Sequence, residues 1–181
     1  DKIARIDNLG GNLLAILFDD MPGDCPDLAA RQADIAADVL EWSCAERLLV
    51  CPTWYSDDPV LERFFGSRPI DYWTELGRRL PTAIDIFWTG PVVCSDSISV
   101  AHLADVGGRL GRAPMLWDNY PVNDGEQASQ FLHLSPLAGR EAGLAEVSSG
   151  HFCNPMNQPW LSRYPLTGLG RLYGAQASSL D

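Results

Sequence analysis

No stretch of this sequence is long and apolar enough to cross a membrane, because a spanning helix needs about 20 consecutive apolar residues. A basic segment followed by an apolar stretch, which is typical of a secretory signal, is also missing from the amino-terminal region. With 46% hydrophobic residues among 181, the chain still has enough apolar side chains to bury a core. We therefore expect a globular domain without membrane contact.

Positive charge is scarce in the chain. It has 13 Lys and Arg residues against 24 Asp and Glu residues, which gives a formal net charge of −11. A surface of this sign repels a phosphate backbone, so we expect no nucleic acid partner. The composition leaves the oligomeric state open.

Paired cysteines and clustered histidines are missing as well. The five cysteines are an odd number without a C-x-x-C pair, which argues against a disulfide framework and favours a reducing compartment such as the cytoplasm. The three histidines, His102, His133 and His151, are too scattered for a catalytic triad or a zinc site. The sequence thus suggests neither a disulfide framework nor a zinc site.

Five short apolar segments are interpreted as strands. They cover residues 13–18, 47–51, 84–88, 115–117 and 150–153. None alternates cleanly between polar and apolar residues, and continuous apolar runs are typical of parallel strands that are covered on both faces.

Amphipathic patterns between these segments predict three helices, over residues 27–42, 70–80 and 97–110. The residues expected to face the core are Leu28, Ile35, Val39 and Trp42 in the first helix, Ile70, Trp73 and Leu80 in the second, and Leu103, Val106 and Leu110 in the third.

Alternating strands and helices predict an α/β fold with parallel strands, either an open sheet or a (β/α)8 TIM barrel. A complete barrel needs about 250 residues, and this chain supplies roughly five strand-helix units. We expect residues 1–181 to form one partial barrel domain, whose earlier strands belong to a longer protein. Such a half barrel exposes unpaired strand edges, so we expect the chain alone to fold and bind ligand poorly.

The residues that follow the strands are acids, amides and aromatic residues. They read FDD at 18–20, CPTWY at 51–55, WTGP at 88–91, WDNY at 117–120 and CNPM at 153–156. In parallel α/β folds these positions gather at the ligand-binding end of the sheet. Amides and acids suit sugar hydroxyls, and rings suit the C–H faces of a sugar. Neither basic residues nor a glycine-rich loop is present here to bind phosphate.

Two adjacent acids such as Asp19 and Asp20 are most often a solvated turn. Their place directly after an apolar strand puts them at the mouth of a barrel site instead. Two close carboxylates do not ionise equally easily, so one pKa rises and a proton donor stands beside an anion. The pair therefore predicts an acid/base site.

The other strand-end residues also have structural interpretations. Asp118 and Asp124 are suitable helix caps or solvated acids. Asn119 is an ordinary turn former, Trp117 is a suitable core aromatic residue, and Cys51 behaves as a small buried hydrophobe.

Taken together, the motifs resemble glycoside hydrolase family 84, the O-GlcNAcase family. The resemblance runs from about residue 13 to 157 and rests on ILFDD at 16–20, CPTxY at 51–55, WTGP at 88–91, LWDN at 116–119, ND at 123–124 and NP at 154–155. It implies a (β/α)8 barrel that removes terminal β-linked N-acetylglucosamine with retention. The substrate's own 2-acetamido oxygen is then the nucleophile, through an oxazoline intermediate and without metal or cofactor.

The resemblance also implies residue roles. Asp19 orients and polarises the acetamido N–H, and Asp20 is the general acid and then the general base. The implied substrate-binding residues are Asn119 for the acetamido group, Tyr55 for its oxygen, Trp117 and Cys51 for the acetyl pocket, Asp124 for the 4- and 6-hydroxyls, and Asn154 for another hydroxyl. The Gly and Lys that the family uses from earlier strands lie outside this chain.

Two other functions remain open at this point. One is a catalytically silent N-acetylglucosamine-binding domain of the same fold. The other is a metal-dependent hydrolase in which Asp19, Asp20, Asp118 and Asp124 bind Mg²⁺ or Ca²⁺, since carboxylate clusters suit hard cations. The sequence does not distinguish a glycoprotein substrate from a smaller glycoside, because those contacts lie outside the sugar pocket.

Overall fold

The computed structural model of the protein describes residues 2–174 and contains one five-stranded parallel sheet. The strands are β1 (Leu13–Leu17), β2 (Arg47–Cys51), β3 (Ile84–Trp88), β4 (Met115–Asp118) and β5 (Gly150–Cys153). All five predicted strands are confirmed, with bounds that differ by at most one residue at the carboxyl end.

Helices connect the strands and cover one side of the sheet. They are α1 (Lys2–Asp7), α2 (Leu28–Trp42), α3 (Val60–Phe65), α4 (Tyr72–Arg79), α5 (Val100–Leu110), α6 (Gly125–Ala128), α7 (Leu144–Val147) and α8 (Pro159–Leu172). Within residues 2–174, none of the helices has the length and apolarity needed to cross a membrane.

The strands lie side by side in chain order, from β1 to β5, and every pair is parallel. A doubly wound open sheet reverses its strand order at a switch point, whereas a barrel adds each strand next to the last one. The order therefore fits the barrel alternative and not the open sheet. It also aligns the carboxyl ends, with Leu17 opposite Cys51 and Asp118 opposite Cys153.

The continuous apolar runs reflect two separate packing layers. Leu48 and Val50 of β2 belong to the large cluster under the helices, while Leu49 and Cys51 belong to a smaller cluster on the opposite face. All four side chains are buried. Both faces of this strand are thus covered, as predicted for a parallel sheet inside a barrel.

Three of the residues predicted to face the core are exposed instead. In α2, Ile35 and Trp42 are 46% and 58% exposed, and the buried residues are Leu28, Ala29, Gln32, Ala33 and Ala36. Small side chains let this helix approach its neighbours closely, so the two larger residues are left at the margin of the contact. Ile70 is 90% exposed because α4 begins only at Tyr72.

The remaining core predictions are confirmed. Trp73 and Leu80 are buried at α4, and Leu103, Val106 and Leu110 are buried in α5. Val39 packs partly buried against the same cluster.

Candidate active site

A pocket of about 150 Å³ opens at the carboxyl ends of the strands, and each of the five strands contributes to it. It is lined by Asp19, Cys51, Tyr55, Thr89, Trp117, Asn119 and Asn154. Six of these seven residues are among the eight predicted from the sequence. This volume is below the roughly 300–1,000 Å³ of most ligand pockets.

Thr89 is the lining residue that the predicted set lacks. It lies directly after β3 in the WTGP motif. The other lining residues were predicted from the same kind of position after a strand, so Thr89 was predictable in the same way. The residue is 3% exposed, and its backbone N–H donates to the carbonyl of Tyr55 at 3.0 Å. This bond joins the turns that follow β2 and β3.

Asp19 and Asp20 occupy the middle of a tight turn after β1. The N–H of Met21 donates to the carbonyl of Phe18 at 3.3 Å, which is the closing bond of a β-turn. Asp19 is half-buried and lines the pocket, while Asp20 is exposed and lies outside the lining. Adjacent acids therefore have different surroundings.

Burial raises the pKa of Asp19. Its own backbone N–H lowers this pKa by a smaller amount, and the negative charge of Asp20 raises it further. The direction is the one predicted for two adjacent acids. The largest cause, however, is burial of Asp19 and not repulsion between the pair.

Tyr55 and Cys51 form a neutral part of the wall beside Asp19. Burial, with smaller contributions from nearby negative charges, raises the pKa of Tyr55 to about 12. Burial also raises the pKa of the Cys51 thiol well above its usual value. Both groups therefore stay protonated at neutral pH, so the phenol is a hydrogen-bond donor. Cys51 is both the buried small residue and the pocket residue that the sequence suggested.

Trp117 forms an aromatic wall that is held by its neighbours. Its ring packs edge-on against Phe87 with centroids 5.1 Å apart, and Phe87 packs against Phe152 at 5.5 Å. Edge-to-face contacts of this kind favour one ring orientation. The side chain is only partly buried, so Trp117 presents surface to the pocket as well as to the core. By contrast, Trp88 is a core residue and is 1% exposed.

Two amides face each other at the ends of β4 and β5. The Asn119 Nδ2 donates to the carbonyl of Val93 at 2.8 Å, and the Asn154 Nδ2 donates to the Asn119 Oδ1 at 3.3 Å. The backbone N–H of Asn154 also donates to the carbonyl of Asp118 at 2.8 Å. These bonds restrict the orientation of both amides, and both residues line the pocket.

Asp118 is neither a helix cap nor a solvated acid, which corrects both structural interpretations of this residue. It is 1% exposed, and its carboxylate accepts two bonds from the Arg140 guanidinium, at 2.6 and 2.7 Å. The His151 Nε2 lies 3.1 Å from Oδ2 of the same carboxylate, and the His151 Nδ1 contacts the Tyr173 hydroxyl. Burial alone would raise the pKa of Asp118, but the bonds from His151 and Arg140 outweigh it and lower this pKa.

Arg140 also ties two loops of the site together. Its remaining donors reach the carbonyls of Ser95, Asp96 and Ala138 at 2.8 to 3.0 Å. Sequence analysis missed both Arg140 and His151. An acid at the end of a buried strand indicates that charged partners are needed. The neighbouring sequence does not identify which residues those partners are.

Asp124 is exposed and lies outside the pocket lining. It directly precedes α6 but makes no capping hydrogen bond with its side chain. The preceding Asn123 is buried and binds the carbonyl of Phe131 and the side chain of Gln158. Asn123 is therefore a fixed anchor, from which Asp124 extends toward solvent with a free carboxylate.

The four acids suggested as a metal site do not form one. Asp118 is already neutralised by Arg140. Within residues 2–174, the group of candidate ligands found close together is Asp118, His151 and Cys153. Burial raises the pKa of Cys153 to about 12, so its thiol stays protonated, and a bound guanidinium competes with any cation.

Parallel strands in barrel order define the later part of a (β/α)8 barrel, with carboxyl, amide and aromatic groups at the carboxyl ends of the strands. A model of the beta-N-acetylglucosaminidase family matches residues 1–180. The chain belongs to this family, which confirms the resemblance seen in the motifs.

Comparison with known proteins agrees with this assignment. The protein O-GlcNAcases of Mus musculus and Rattus norvegicus are each 29% identical to the chain over 163 residues, which cover 85% of the chain and 17% of each relative. A solved mutant of the Thermobaculum terrenum O-GlcNAc hydrolase is 35% identical with a TM-score of 0.83. That match covers 96% of this chain and 38% of the other. It confirms the partial TIM barrel, and the chain spans well under half of each relative.

Proposed function

We propose that this chain is the later part of the catalytic barrel of a β-N-acetylglucosaminidase. The observation that carries the proposal is the half-buried Asp19 in a pocket with Tyr55, Trp117 and Asn119, next to the exposed Asp20. The two acids differ in environment, as different catalytic roles require. The activities named for the mouse, rat and bacterial relatives support the same reaction.

In the proposed mechanism the substrate supplies its own nucleophile. The Asp19 carboxylate accepts a hydrogen bond from the acetamido N–H, which increases the electron density on the acetamido oxygen. That oxygen attacks the anomeric carbon as the bond to the glycosidic oxygen breaks, and Asp20 donates its proton to the departing oxygen. Asp19 takes the N–H proton, which leaves a neutral oxazoline, and returns this proton to the nitrogen when the oxazoline opens. Asp20 then takes a proton from water, which opens the oxazoline at the anomeric carbon and restores the original configuration.

The other pocket residues would select the sugar. The protonated phenol of Tyr55 is a donor for the acetamido oxygen, and Asn119 holds the acetamido group. Trp117 and Cys51 form the wall for the acetyl methyl group, which favours N-acetyl sugars over plain glucose. Asn154 and the extended Asp124 contact hydroxyl groups. The substrate class is therefore an N-acetylglucosamine-bearing glycoprotein or a related β-glycoside.

The test is hydrolysis of a fluorogenic aryl β-N-acetylglucosaminide by the longest native protein that contains this chain. Wild type is compared with Asp19→Asn and Asp20→Asn, with the exposed Asp34→Asn of α2 as a matched control. We expect both site variants to lose roughly 10²- to 10⁴-fold in rate, with a smaller loss for Asp20→Asn, because an aryl leaving group hardly needs protonation. The control should keep the wild-type rate.

Other outcomes lead to other functions. An inactive wild type that still binds an N-acetylglucosamine analogue would replace this proposal with the silent binding domain. A rate that EDTA abolishes would contradict the metal-free mechanism proposed here. If neither site variant is slower than Asp34→Asn, the pair Asp19 and Asp20 is not the catalytic centre.

A further inference from the structure

We infer that Gln32, Thr53 and Tyr72 form a buried positioning cluster that holds the turn with Asp19 and Asp20 in its reactive geometry. The inference rests on the proposed function and deepens it, because it assigns a role in that site to three residues outside the pocket lining. The cluster joins the end of β2 to helices α2 and α4.

The link to the acids passes through one carbonyl group. The Thr53 hydroxyl donates to the carbonyl of Phe18 at 3.0 Å. The same carbonyl accepts the N–H of Met21 that closes the turn. Asp19 and Asp20 are the two residues between these ends, so the direction of the Phe18 carbonyl sets how both acids are presented.

Hydrogen-bond directions in the cluster are fixed by its own donors. Gln32 Nε2 donates to the Thr53 Oγ1 at 2.8 Å, so the single hydroxyl proton of Thr53 is free to point at Phe18. The Thr53 backbone N–H donates to the Tyr72 hydroxyl at 3.0 Å, and that hydroxyl donates to the Gln32 Oε1. Each bond thus orients the next.

The cluster is buried, so water does not replace a hydrogen bond that is lost within it. Gln32, Thr53 and Tyr72 are each at most 1% exposed. Tyr72 is also held by an edge-on contact with Trp54 at 4.8 Å. A buried hydrogen bond has no water to replace it when a partner is lost, so removal of one hydroxyl should release the Phe18 carbonyl.

The test replaces the Thr53 hydroxyl with a methyl group in the longest native protein that contains the chain. Thr53→Val keeps the shape of the side chain, Thr53→Ser keeps the hydroxyl, and Val106→Ala in α5 is a control that weakens the core away from the turn. We expect Thr53→Val to lower kcat at least about tenfold with little change in KM. Thr53→Ser should recover most of the rate, and Val106→Ala should keep the wild-type kcat.

Amide hydrogen exchange at Met21 provides a second measurement that does not depend on activity. A released Phe18 carbonyl should speed exchange at Met21 in Thr53→Val, relative to both wild type and Val106→Ala. The inference is overturned if Thr53→Val matches Val106→Ala in kcat and in Met21 exchange. An inactive wild type would remove the proposed function, and the exchange comparison would then still decide whether the cluster holds the turn.

Discussion

Asp19 and Asp20 share a turn, yet only Asp19 enters the pocket. A half-buried carboxylate with a raised pKa takes up a proton more readily, and an exposed carboxylate is in contact with water. The first property suits a group that faces the acetamido N–H, and the second suits a group that gives and takes protons at the rim. The different roles of Asp19 and Asp20 thus follow from the backbone turn, which places one carboxylate in the pocket and the other in solvent.

The negative charge of Asp20 contributes to the raised pKa of Asp19, and this contribution is testable. In Asp20→Asn that charge is gone, so the pKa of Asp19 should fall while its burial remains. We expect the acidic limb of kcat/KM to move to lower pH with an aryl substrate that needs no proton donor. Asp34→Asn should leave the limb in place. If the acidic limb stays fixed or moves to higher pH in Asp20→Asn, the charge of Asp20 does not raise the pKa of Asp19.

Asp118 depends on Arg140 for charge compensation, since both side chains are almost fully buried. Arg140→Met should therefore lower the free energy of unfolding by about 3–5 kcal/mol, because it leaves a buried carboxylate with half of its partners. Urea unfolding at neutral pH measures this. The double variant Arg140→Met with Asp118→Leu should recover part of the loss, since it removes the charge as well. A single variant as stable as wild type would mean that water reaches Asp118.

At the scale of elements, residue type and position predicted the strands and most of the site. Parallel strands bring the residues after them to one edge, so strand assignment alone placed Asp19, Cys51 and Asn154 together. The contacts of Asp118 were beyond such reasoning, because His151 and Arg140 lie 33 and 22 residues away in the chain. Local periodicity does not encode which distant side chains meet.

Helix faces were harder to predict than strands. The pattern in α2 favoured its largest apolar residues, but the packed face consists mainly of alanine. Hydrophobic periodicity shows which face of a helix is more apolar. It does not show how closely that helix packs against its neighbours. Where close approach is required, the smallest residues are buried and the larger ones lie at the side.

Helices α4 and α5 also approach each other closely, at Gly77. A Cβ on Gly77 would lie 2.1 Å from the carbonyl oxygen of Leu110, whereas one on Gly108 would meet nothing within 4 Å. We expect Gly77→Ala to destabilise the protein by roughly 1–3 kcal/mol, as overpacking does. Gly108→Ala should raise stability by about 0.5–1 kcal/mol, because alanine favours a helix. Chemical unfolding compares the two, and equal stability would refute a close helix contact.

At the scale of the whole molecule, the sheet is the later part of a barrel, and its first strand, β1, has exposed apolar side chains. Leu13 and Leu17 of β1 are 43% and 51% exposed, while Leu49 and Cys51 on the equivalent face of β2 are buried. The longer bacterial relative supports the expectation that further strands cover this face. That the chain alone folds and binds poorly stays a prediction.

The most direct test of the account is whether the substrate's acetamido oxygen is the nucleophile. Aryl β-glycosides with zero to three fluorine atoms on the acetyl methyl group would be hydrolysed by the longest native protein that contains the chain. Fluorine withdraws electrons from that oxygen, so the account predicts that kcat/KM falls steeply with each added fluorine. A rate that stays constant across the series would contradict the account, because the attacking group would then belong to the enzyme or to water.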